Sequence, residues 1–172
     1  MLRLLLLRHA KSSWDEPGLA DFDRPLNARG RQAAPLVGRY MVENALQPAR
    51  VLSSTARRAR ETLALILPIL DAEMTIDLTR DLYDSIEADY VTAIQAVTGG
   101  ESPLMVVGHN PAMEDTAHRL VGESEPGLIG EMERKYPTGA LAVIDFDVPA
   151  WSKIAPGTGV LKDFVQPRGL SD

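Results

Sequence analysis

Cysteine is absent from the 172-residue sequence. Its absence excludes disulfides, zinc sites built from thiolates and a cysteine nucleophile, and it is compatible with a reducing compartment. Long hydrophobic runs are also missing, since the run Leu4–Leu7 is far shorter than the ~20 apolar residues of a membrane-spanning helix. We therefore expect a cytoplasmic protein that does not act at a membrane.

Positive charge is in short supply as well. Lysine and arginine number 18 against 24 aspartates and glutamates, which gives a net charge of −6. An acidic chain without a basic stripe is a poor candidate for binding nucleic acid, so a site for an anion would need positive charge gathered locally. Repeats, low-complexity tracts and long Pro/Gly/Ser linkers are missing too, and we expect a single domain over residues 1–172 whose oligomeric state, monomer included, stays open.

Short apolar runs alternate with segments of helical periodicity along the first two thirds of the chain. This alternation predicts an α/β fold, a three-layer α/β/α sandwich with a mostly parallel central sheet. The predicted buried strands are Leu2–Leu7, "RVLSS" (50–54) and "PLMVVGH" (103–109), and the predicted helices are Ala28–Asn44, Thr55–Leu70, Ile86–Val97 and a segment that starts at Pro111.

The last third of the sequence has a different character. Residues Gly122–Gly139 are acidic and contain glycine, which predicts a surface loop with some helix. The segments "ALAVIDFDV" and "GVLKDFV" predict strands separated by turn residues. We expect these two strands to extend the edge of the sheet, with antiparallel pairing as one possibility.

Each of the three predicted buried strands is followed by histidine, arginine or both. The first strand ends in Arg8 and His9, the second is followed by Arg57, Arg58 and Arg60, and the third ends in His109 directly before a helix. Ligands of open α/β sheets bind beyond the carboxyl ends of the strands. Arginine forks and a helix N-terminus both suit phosphate oxygens, so the sequence predicts a phosphoryl site at this edge.

The two histidines indicate the type of chemistry. A neutral imidazole can attack phosphorus and hold it covalently, and a second imidazole can stabilise the transferring oxygens or carry a proton. The sequence contains no Walker-type loop and no G-x-S-x-G elbow, which argues against a P-loop NTPase and a serine hydrolase. Arginines beside the histidines would repel a cation, so we expect neither a metal nor a cofactor.

Four segments of the chain resemble the motifs of a known family. "LLLRHAKSSW", "DFDRPLNARG", "VLSSTARRARETL" and "LMVVGHNPAMEDTAHRL" are similar to motifs of the histidine phosphatase superfamily, and most similar to its small, SixA-like phosphohistidine phosphatase branch. The resemblance implies a phosphoglycerate-mutase-like fold. It implies that His9 is the nucleophile that becomes phosphorylated, that Arg8, Arg58 and His109 complete the catalytic phosphate pocket, and that Arg24 also binds the phosphate.

The segment "DLYDSIEADY" departs from the wider superfamily. Mutases and many phosphomonoesterases carry a glutamate general acid in this region, whereas Tyr83 stands there in this chain and Asp84 and Glu87 lie nearby. A protonated imidazole is a better leaving group than an alkoxide, so the departure favours a phosphohistidine on a phosphotransfer protein as substrate. A phosphomonoesterase acting on a small metabolite, and a non-catalytic module that binds phosphoproteins, remain alternatives.

The remaining charged candidates are given structural interpretations. His118 matches no motif and is predicted to be non-catalytic. Arg57 and Arg60 flank Arg58 on a helical turn, where exposed ion pairs explain them best. Lys11 is left without a role, as either an aid to anion binding or a solvated side chain.

Overall fold

The computed structural model describes residues 1–84 and 90–171, and its centre is a seven-stranded sheet in the order β3-β2-β4-β1-β6-β7-β5. The strands are β1 (Leu2–Arg8), β2 (Arg50–Ser54), β3 (Thr75–Thr79), β4 (Leu104–Gly108), β5 (Val121–Ser124), β6 (Leu141–Phe146) and β7 (Gly159–Val165). The pairs β3–β2, β2–β4, β4–β1 and β7–β5 are parallel, and β6 runs antiparallel to both of its neighbours. The predicted α/β fold with a mostly parallel sheet is confirmed.

Helices cover both faces of this sheet. They are α1 (Ala28–Glu43), α2 (Arg57–Leu70), α3 (Asp81–Asp84), α4 (Val91–Gln95), α5 (Ala112–Leu120) and α6 (Leu128–Arg134), with 3₁₀ helices at Asp21–Asp23, Trp151–Lys153 and Pro167–Gly169. The predicted helix Ile86–Val97 is described from residue 90 onward and contains α4. None of the helices in the described part of the chain has the length and hydropathy to cross a bilayer.

The leucines of β1 contact both helical layers. Leu5 and Leu7 belong to the apolar cluster that joins the sheet to α1 and α2. Leu4 and Leu6 belong to the cluster on the other face, together with side chains of α4, α5 and α6. All four are fully buried, and each contributes roughly 1.5–3 kcal/mol of hydrophobic stabilisation. A strand buried on both faces accounts for the unbroken leucine run.

The last third of the chain differs from its predicted arrangement. The segment "ALAVIDFDV" contains β6, which lies inside the sheet between β1 and β7. All residues of β6 are buried, as expected for an interior strand. The predicted edge position was therefore wrong for β6. The segment Gly122–Gly139 contains the helix α6, in agreement with the predicted helical part. It also contains most of the edge strand β5, which was not predicted.

Helix α1 begins close to the end of β1. Asn27 caps the helix, because its side-chain oxygen accepts a hydrogen bond of 2.9 Å from the backbone N–H of Gly30. The backbone N–H of Asn27 donates to the carbonyl of Lys11 at 3.0 Å. Gly30 packs against the same carbonyl, and a Cβ built on it would lie 2.2 Å from that oxygen. The glycine thus allows α1 to approach the segment that follows His9.

Candidate active site

Pairing of the two innermost parallel strands brings the two motif histidines together. Arg8 is the register partner of Gly108, and the backbone N–H of His9 donates to the Gly108 carbonyl at 3.0 Å. The ring centroids of His9 and His109 are consequently 5.1 Å apart. The predicted meeting of these strand ends is observed.

The hydrogen bonds of His9 define its tautomer. Its Nδ1 lies 2.7 Å from the carbonyl oxygen of Ala10, and a carbonyl only accepts, so Nδ1 carries the hydrogen. The Nε of Arg58 donates to His9 Nε2 at 3.3 Å, which requires a lone pair on Nε2. The side chain is 6% exposed. His9 therefore presents an unprotonated Nε2 next to a guanidinium group.

The surroundings of His9 also keep it uncharged. Burial lowers its pKa well below the usual value of 6.5, and the neighbouring His109, Arg58 and Arg8 lower it further against the opposing bond to Ala10. A histidine with such a depressed pKa is neutral near pH 7. The nucleophilic form needs no deprotonation step at that pH.

Asp21 fixes two of the predicted phosphate-binding arginines. Arg58 donates from Nη1 to the Asp21 carbonyl at 2.7 Å and from Nη2 to its carboxylate at 3.1 Å. Arg24 donates from Nη1 to the other carboxylate oxygen at 2.8 Å. Burial by itself would raise the pKa of Asp21, but hydrogen bonds from Tyr83 and Arg24 and the charge of Arg58 lower it to about 2. Asp21 is thus an anion at neutral pH, and our interpretation of the sequence did not include it.

Arg24 is held by further contacts at the rim. Its Nε donates to the carbonyl of Ser13 at 2.9 Å, and its Nη2 donates to the hydroxyl of Ser12. The Trp14 ring stacks on the guanidinium group, 3.3 Å from the Arg24 carbon to the ring centroid, although 76% of Trp14 is exposed. Ser12 and Trp14 also line the pocket, and neither was predicted from the sequence to belong to the site.

Arg8 enters the site from the end of β1. Its Nη1 donates to the carbonyl of Tyr136 at 3.0 Å. Its Nε is buried and has no hydrogen-bond partner among the described residues. Buried donors in proteins are almost always paired, so this guanidinium group retains a donor for a ligand.

His109 faces His9 across the site. Its Nε2 lies 2.7 Å from the Ser54 hydroxyl, and its Nδ1 is buried without a partner among the described residues. Its backbone N–H donates a hydrogen bond of 2.9 Å to the hydroxyl of Tyr90, the residue that precedes α4. Burial, followed by the charge of Arg58, lowers the pKa of His109 to about 4 even though Asp21 opposes the shift. His109 is therefore neutral in the unliganded pocket.

Of the three residues named in the segment "DLYDSIEADY", Tyr83 lies next to the pocket. Its hydroxyl donates to the Asp21 carboxylate at 2.8 Å, and its ring meets His109 edge-on at 5.5 Å between centroids. Burial and the bond to Asp21 raise the pKa of Tyr83, so Tyr83 keeps its proton at neutral pH. Asp84 forms an exposed ion pair with Arg80 at 3.3 Å, and Glu87 lies outside the described residues.

Four charged residues without an assigned catalytic role lie at the surface of the protein. Arg57 pairs with Glu61 at 2.8 Å on the solvent side of α2, and Arg60 is exposed and donates to the Thr55 carbonyl at 2.8 Å. His118 is exposed on α5 and does not line the pocket. Lys11 is exposed, yet it does line the pocket.

These side chains surround an open cleft of about 270 Å³. Its lining is Arg8, His9, Lys11, Ser12, Trp14, Arg24, Arg58, His109, Asn110 and Thr138. All five predicted site residues are therefore assembled in one place. Within residues 1–84 and 90–171, no group of three or more His, Cys, Asp or Glu is placed to hold a metal ion. The cationic lining suits an anion with several oxygens.

Comparison with known proteins gives matches along the length of the chain. The model of the histidine phosphatase superfamily (branch 1) matches residues 4–84. A structure assigned as phosphohistidine phosphatase SixA from Agrobacterium tumefaciens is 34% identical, with 96% of this chain and 98% of that chain covered and a TM-score of 0.79. The chain belongs to the histidine phosphatase superfamily.

Other members of the superfamily agree with this assignment. A SixA structure from Nakamurella multipartitia is 28% identical, covers 96% of each chain and has a TM-score of 0.79. Phosphohistidine phosphatase SixA of Escherichia coli is 26% identical over 148 residues, which are 85% of this chain and 86% of the relative. The resemblance to SixA-like members and the phosphoglycerate-mutase-like fold are confirmed, and so is the prediction that the protein is a phosphatase.

Proposed function

We propose that this histidine phosphatase hydrolyses phosphohistidine on a protein through a covalent intermediate on His9. The observation that carries the proposal is the state of the His9 ring. Its Nδ1 hydrogen is bound to the Ala10 carbonyl, which leaves an uncharged Nε2 beside Arg58 in a cationic pocket. A neutral nitrogen nucleophile placed among phosphate-binding groups is what phosphoryl transfer to histidine requires.

In the first step, His9 Nε2 attacks phosphorus. A bond from phosphorus to Nε2 forms while the bond from phosphorus to the substrate nitrogen breaks, and the leaving imidazole gains a proton. In the second step, water attacks the phosphorus, the bond to Nε2 breaks, and inorganic phosphate leaves with His9 restored. Water supplies both the oxygen and the proton, so the two steps balance as hydrolysis.

The proposed roles of the remaining residues follow from their charge. Arg8, Arg24 and Arg58 bind the phosphoryl oxygens and stabilise the charge of the transition state. A bound phosphoryl dianion raises the pKa of His109, so His109 takes up a proton from solvent when the substrate binds. It donates this proton to the leaving imidazole in the first step and regains one from the attacking water in the second. The arginines supply the positive charge that a metal ion supplies in other phosphatases, and the proposal includes no metal.

The acids near the pocket support an N-phosphorylated substrate. Asp21 has a pKa of about 2 and is deprotonated at neutral pH, so it has no proton to donate. Tyr83 is a weak acid whose pKa is raised and whose proton is bound to Asp21. An alkoxide leaving group needs a stronger acid than these, whereas an imidazole leaves more readily. The names of the Agrobacterium and Escherichia relatives point to the same substrate.

The test compares wild type with His9→Ala and His118→Ala. We expect wild type to hydrolyse a phosphohistidine peptide in the presence of a metal chelator, and to form an acid-labile phosphoenzyme in a rapid quench. His9→Ala should lose both activities by about 10³-fold or more, because it lacks the nucleophile. His118→Ala removes an exposed histidine outside the pocket and should keep the wild-type rate.

Three results would contradict the proposal. Turnover or acid-labile labelling that survives in His9→Ala would exclude the covalent mechanism. A strong preference of the wild type for sugar phosphates over the phosphohistidine peptide would instead favour the small-metabolite phosphomonoesterase, and binding without turnover would favour the non-catalytic module.

A further inference from the structure

A second cleft adjoins the catalytic pocket. It encloses about 250 Å³, and its charged lining residues are Lys11, Arg29, Lys135 and Arg168. Lys11 and Thr138 line both cavities, so the two spaces share a wall. Among residues 1–84 and 90–171, the lining of the second cleft contains four cationic side chains and no carboxylate, in a chain whose net charge is −6. We call it the basic cleft.

No residue in the described part of the chain pairs with the cations of the basic cleft. Among residues 1–84 and 90–171, the side chains of Lys11, Arg29, Lys135 and Arg168 form neither a hydrogen bond nor an ion pair. By contrast, Arg57 on the exposed side of α2 is paired with Glu61. Four like charges on one concave surface repel each other, and a bound anion would relieve that repulsion.

The position of Arg29 adds a second unfavourable electrostatic interaction to the basic cleft. It lies in the first turn of α1, which contains no acidic residue. The N-terminal end of a helix carries partial positive charge, so a cation there is disfavoured and an anion is favoured. A bound carboxylate would interact with both the guanidinium group of Arg29 and the end of this 16-residue helix.

We propose that the basic cleft binds carboxylate side chains of the protein substrate that lie beside its phosphohistidine. This inference rests on the proposed function and assigns a recognition surface to it. Lys11 connects the cleft with the catalytic pocket, so an anchored acidic segment would hold the phosphohistidine near His9.

The exposure of the cations favours a protein over a second phosphate group. In the catalytic pocket, Arg24 and Arg58 are each 7% exposed and are held by Asp21, which suits one compact, highly charged group. The four cations of the basic cleft are exposed and come from the segment after β1, the start of α1, the end of α6 and the 3₁₀ helix Pro167–Gly169. Separate, adaptable cations suit several separate carboxylates.

The experiment uses two phosphohistidine peptides with the same length. One carries glutamates around the phosphohistidine and the other carries glutamines at those places. Arg29→Glu, Lys135→Glu and Arg168→Glu are made singly and together. Lys11 is left intact because it also lines the catalytic pocket. Lys153→Glu is the matched single control, because Lys153 is exposed on a 3₁₀ helix that follows β6. Strand β6 ends beside the start of β1, at the end of the strands opposite to Arg8 and His9.

We expect the kcat/KM of the wild type at low salt to be about tenfold higher for the glutamate peptide than for the glutamine peptide, because the acidic peptide associates faster. Each single variant should reduce this preference, and the triple variant should abolish or invert it. The preference should also shrink in high salt. Lys153→Glu should retain it, and turnover of a small aryl phosphate should be unchanged in every variant.

The possible failures are distinguishable. Equal kcat/KM of the wild type on both peptides, or a preference that survives in the triple variant, would overturn the basic cleft and leave the proposed function standing. Hydrolysis of the aryl phosphate but of neither peptide would overturn both. A third outcome is that the wild type prefers a small bisphosphate over a monophosphate, that the triple variant loses this preference, and that both peptides react at equal rates. This outcome would assign the cleft to a second phosphate group and overturn protein recognition.

Discussion

The carboxylate of Asp21 lies among the arginines that we propose bind the phosphoryl group. It accepts hydrogen bonds from Arg24, Arg58 and Tyr83, and half of its side chain is exposed. These bonds hold both guanidinium groups in defined positions before a substrate arrives, which lowers the cost of ordering them during binding. A single acidic residue thereby organises three of the groups around the candidate nucleophile.

Replacement of His109 should change the pH dependence of stability. Its pKa is about 4 in the folded protein against 6.5 for the unfolded chain, so between these values the unfolded chain binds more protons. The free energy of unfolding therefore falls as the pH drops through this window. For His109 the loss between pH 7.5 and pH 5 is about 2 kcal/mol, and His109→Gln should remove it. Urea unfolding at the two pH values measures the difference.

His118→Gln is the matched control, because His118 is exposed on α5, and it should follow the wild-type profile. The loss expected from Asp21 begins only near its unfolded value of 3.8, below the tested range. The pKa of His9 is also lowered, so His9 changes stability with pH in the same direction as His109, in the wild type and in His109→Gln alike. Identical pH profiles of wild type and His109→Gln would show that the environment of His109 does not depress its pKa.

At the level of elements, the start of α1 is sensitive to a single methyl group. A Cβ on Gly30 would lie 2.2 Å from the Lys11 carbonyl, and backbone atoms cannot move aside as a flexible side chain can. We expect Gly30→Ala to lower the free energy of unfolding by about 1–3 kcal/mol. It should also reduce kcat/KM, because it displaces the segment that follows His9.

Gly38→Ala provides the comparison within the same helix. A Cβ on Gly38 would come no closer than 3.4 Å to the Ile69 side chain. Alanine has the higher helix propensity, so this variant should gain up to about 1 kcal/mol and retain activity. Denaturant unfolding and steady-state kinetics on both variants test the argument, and equal stabilities would refute the proposed clash.

The elements that the sequence predicted share a clear hydrophobic pattern. The run of β1 and the amphipathic helices α1 and α2 follow directly from buried apolar positions. Strand β3 (Thr75–Thr79) was missed, because it is a half-exposed edge strand with few apolar residues. The place of β6 could not be predicted, since strand order depends on long-range pairing that local pattern does not contain.

The candidate site was predictable to a different degree for each kind of residue. The ends of β1, β2 and β4 point to Arg8, His9, His109 and the arginines after β2, because parallel strands place their carboxyl ends at one edge. Among those arginines, only the resemblance to the family motif selects Arg58. Asp21 was missed, since an acid beside a phosphate site runs against simple charge complementarity. The sequence did contain a signal for Asp21, namely its position three residues before Arg24. In the structure the two side chains form an ion pair.

At the scale of the whole molecule, β1 supports both helical layers. Leu5 is fully buried in the cluster with α1 and α2. We expect Leu5→Ala to reduce the free energy of unfolding by about 2–5 kcal/mol, as for other large-to-small core substitutions. Leu78→Ala in the edge strand β3 removes a side chain that is 53% exposed and should change stability by less than about 0.5 kcal/mol. Chemical denaturation measures both, and a similar cost for the two would contradict the two-layer arrangement.

Four identical side chains in a row leave β1 with a problem of alignment. If β1 slipped by one residue, Leu4–Leu7 would still present leucines to both cores, so apolar contacts alone discriminate poorly between registers. Polar groups at the strand ends supply the discrimination. Arg3 binds Asp145 of β6 through two bonds of 2.7 and 2.8 Å, and the His9 N–H binds the Gly108 carbonyl. The position of the candidate nucleophile thus depends on an ion pair at the far end of its strand.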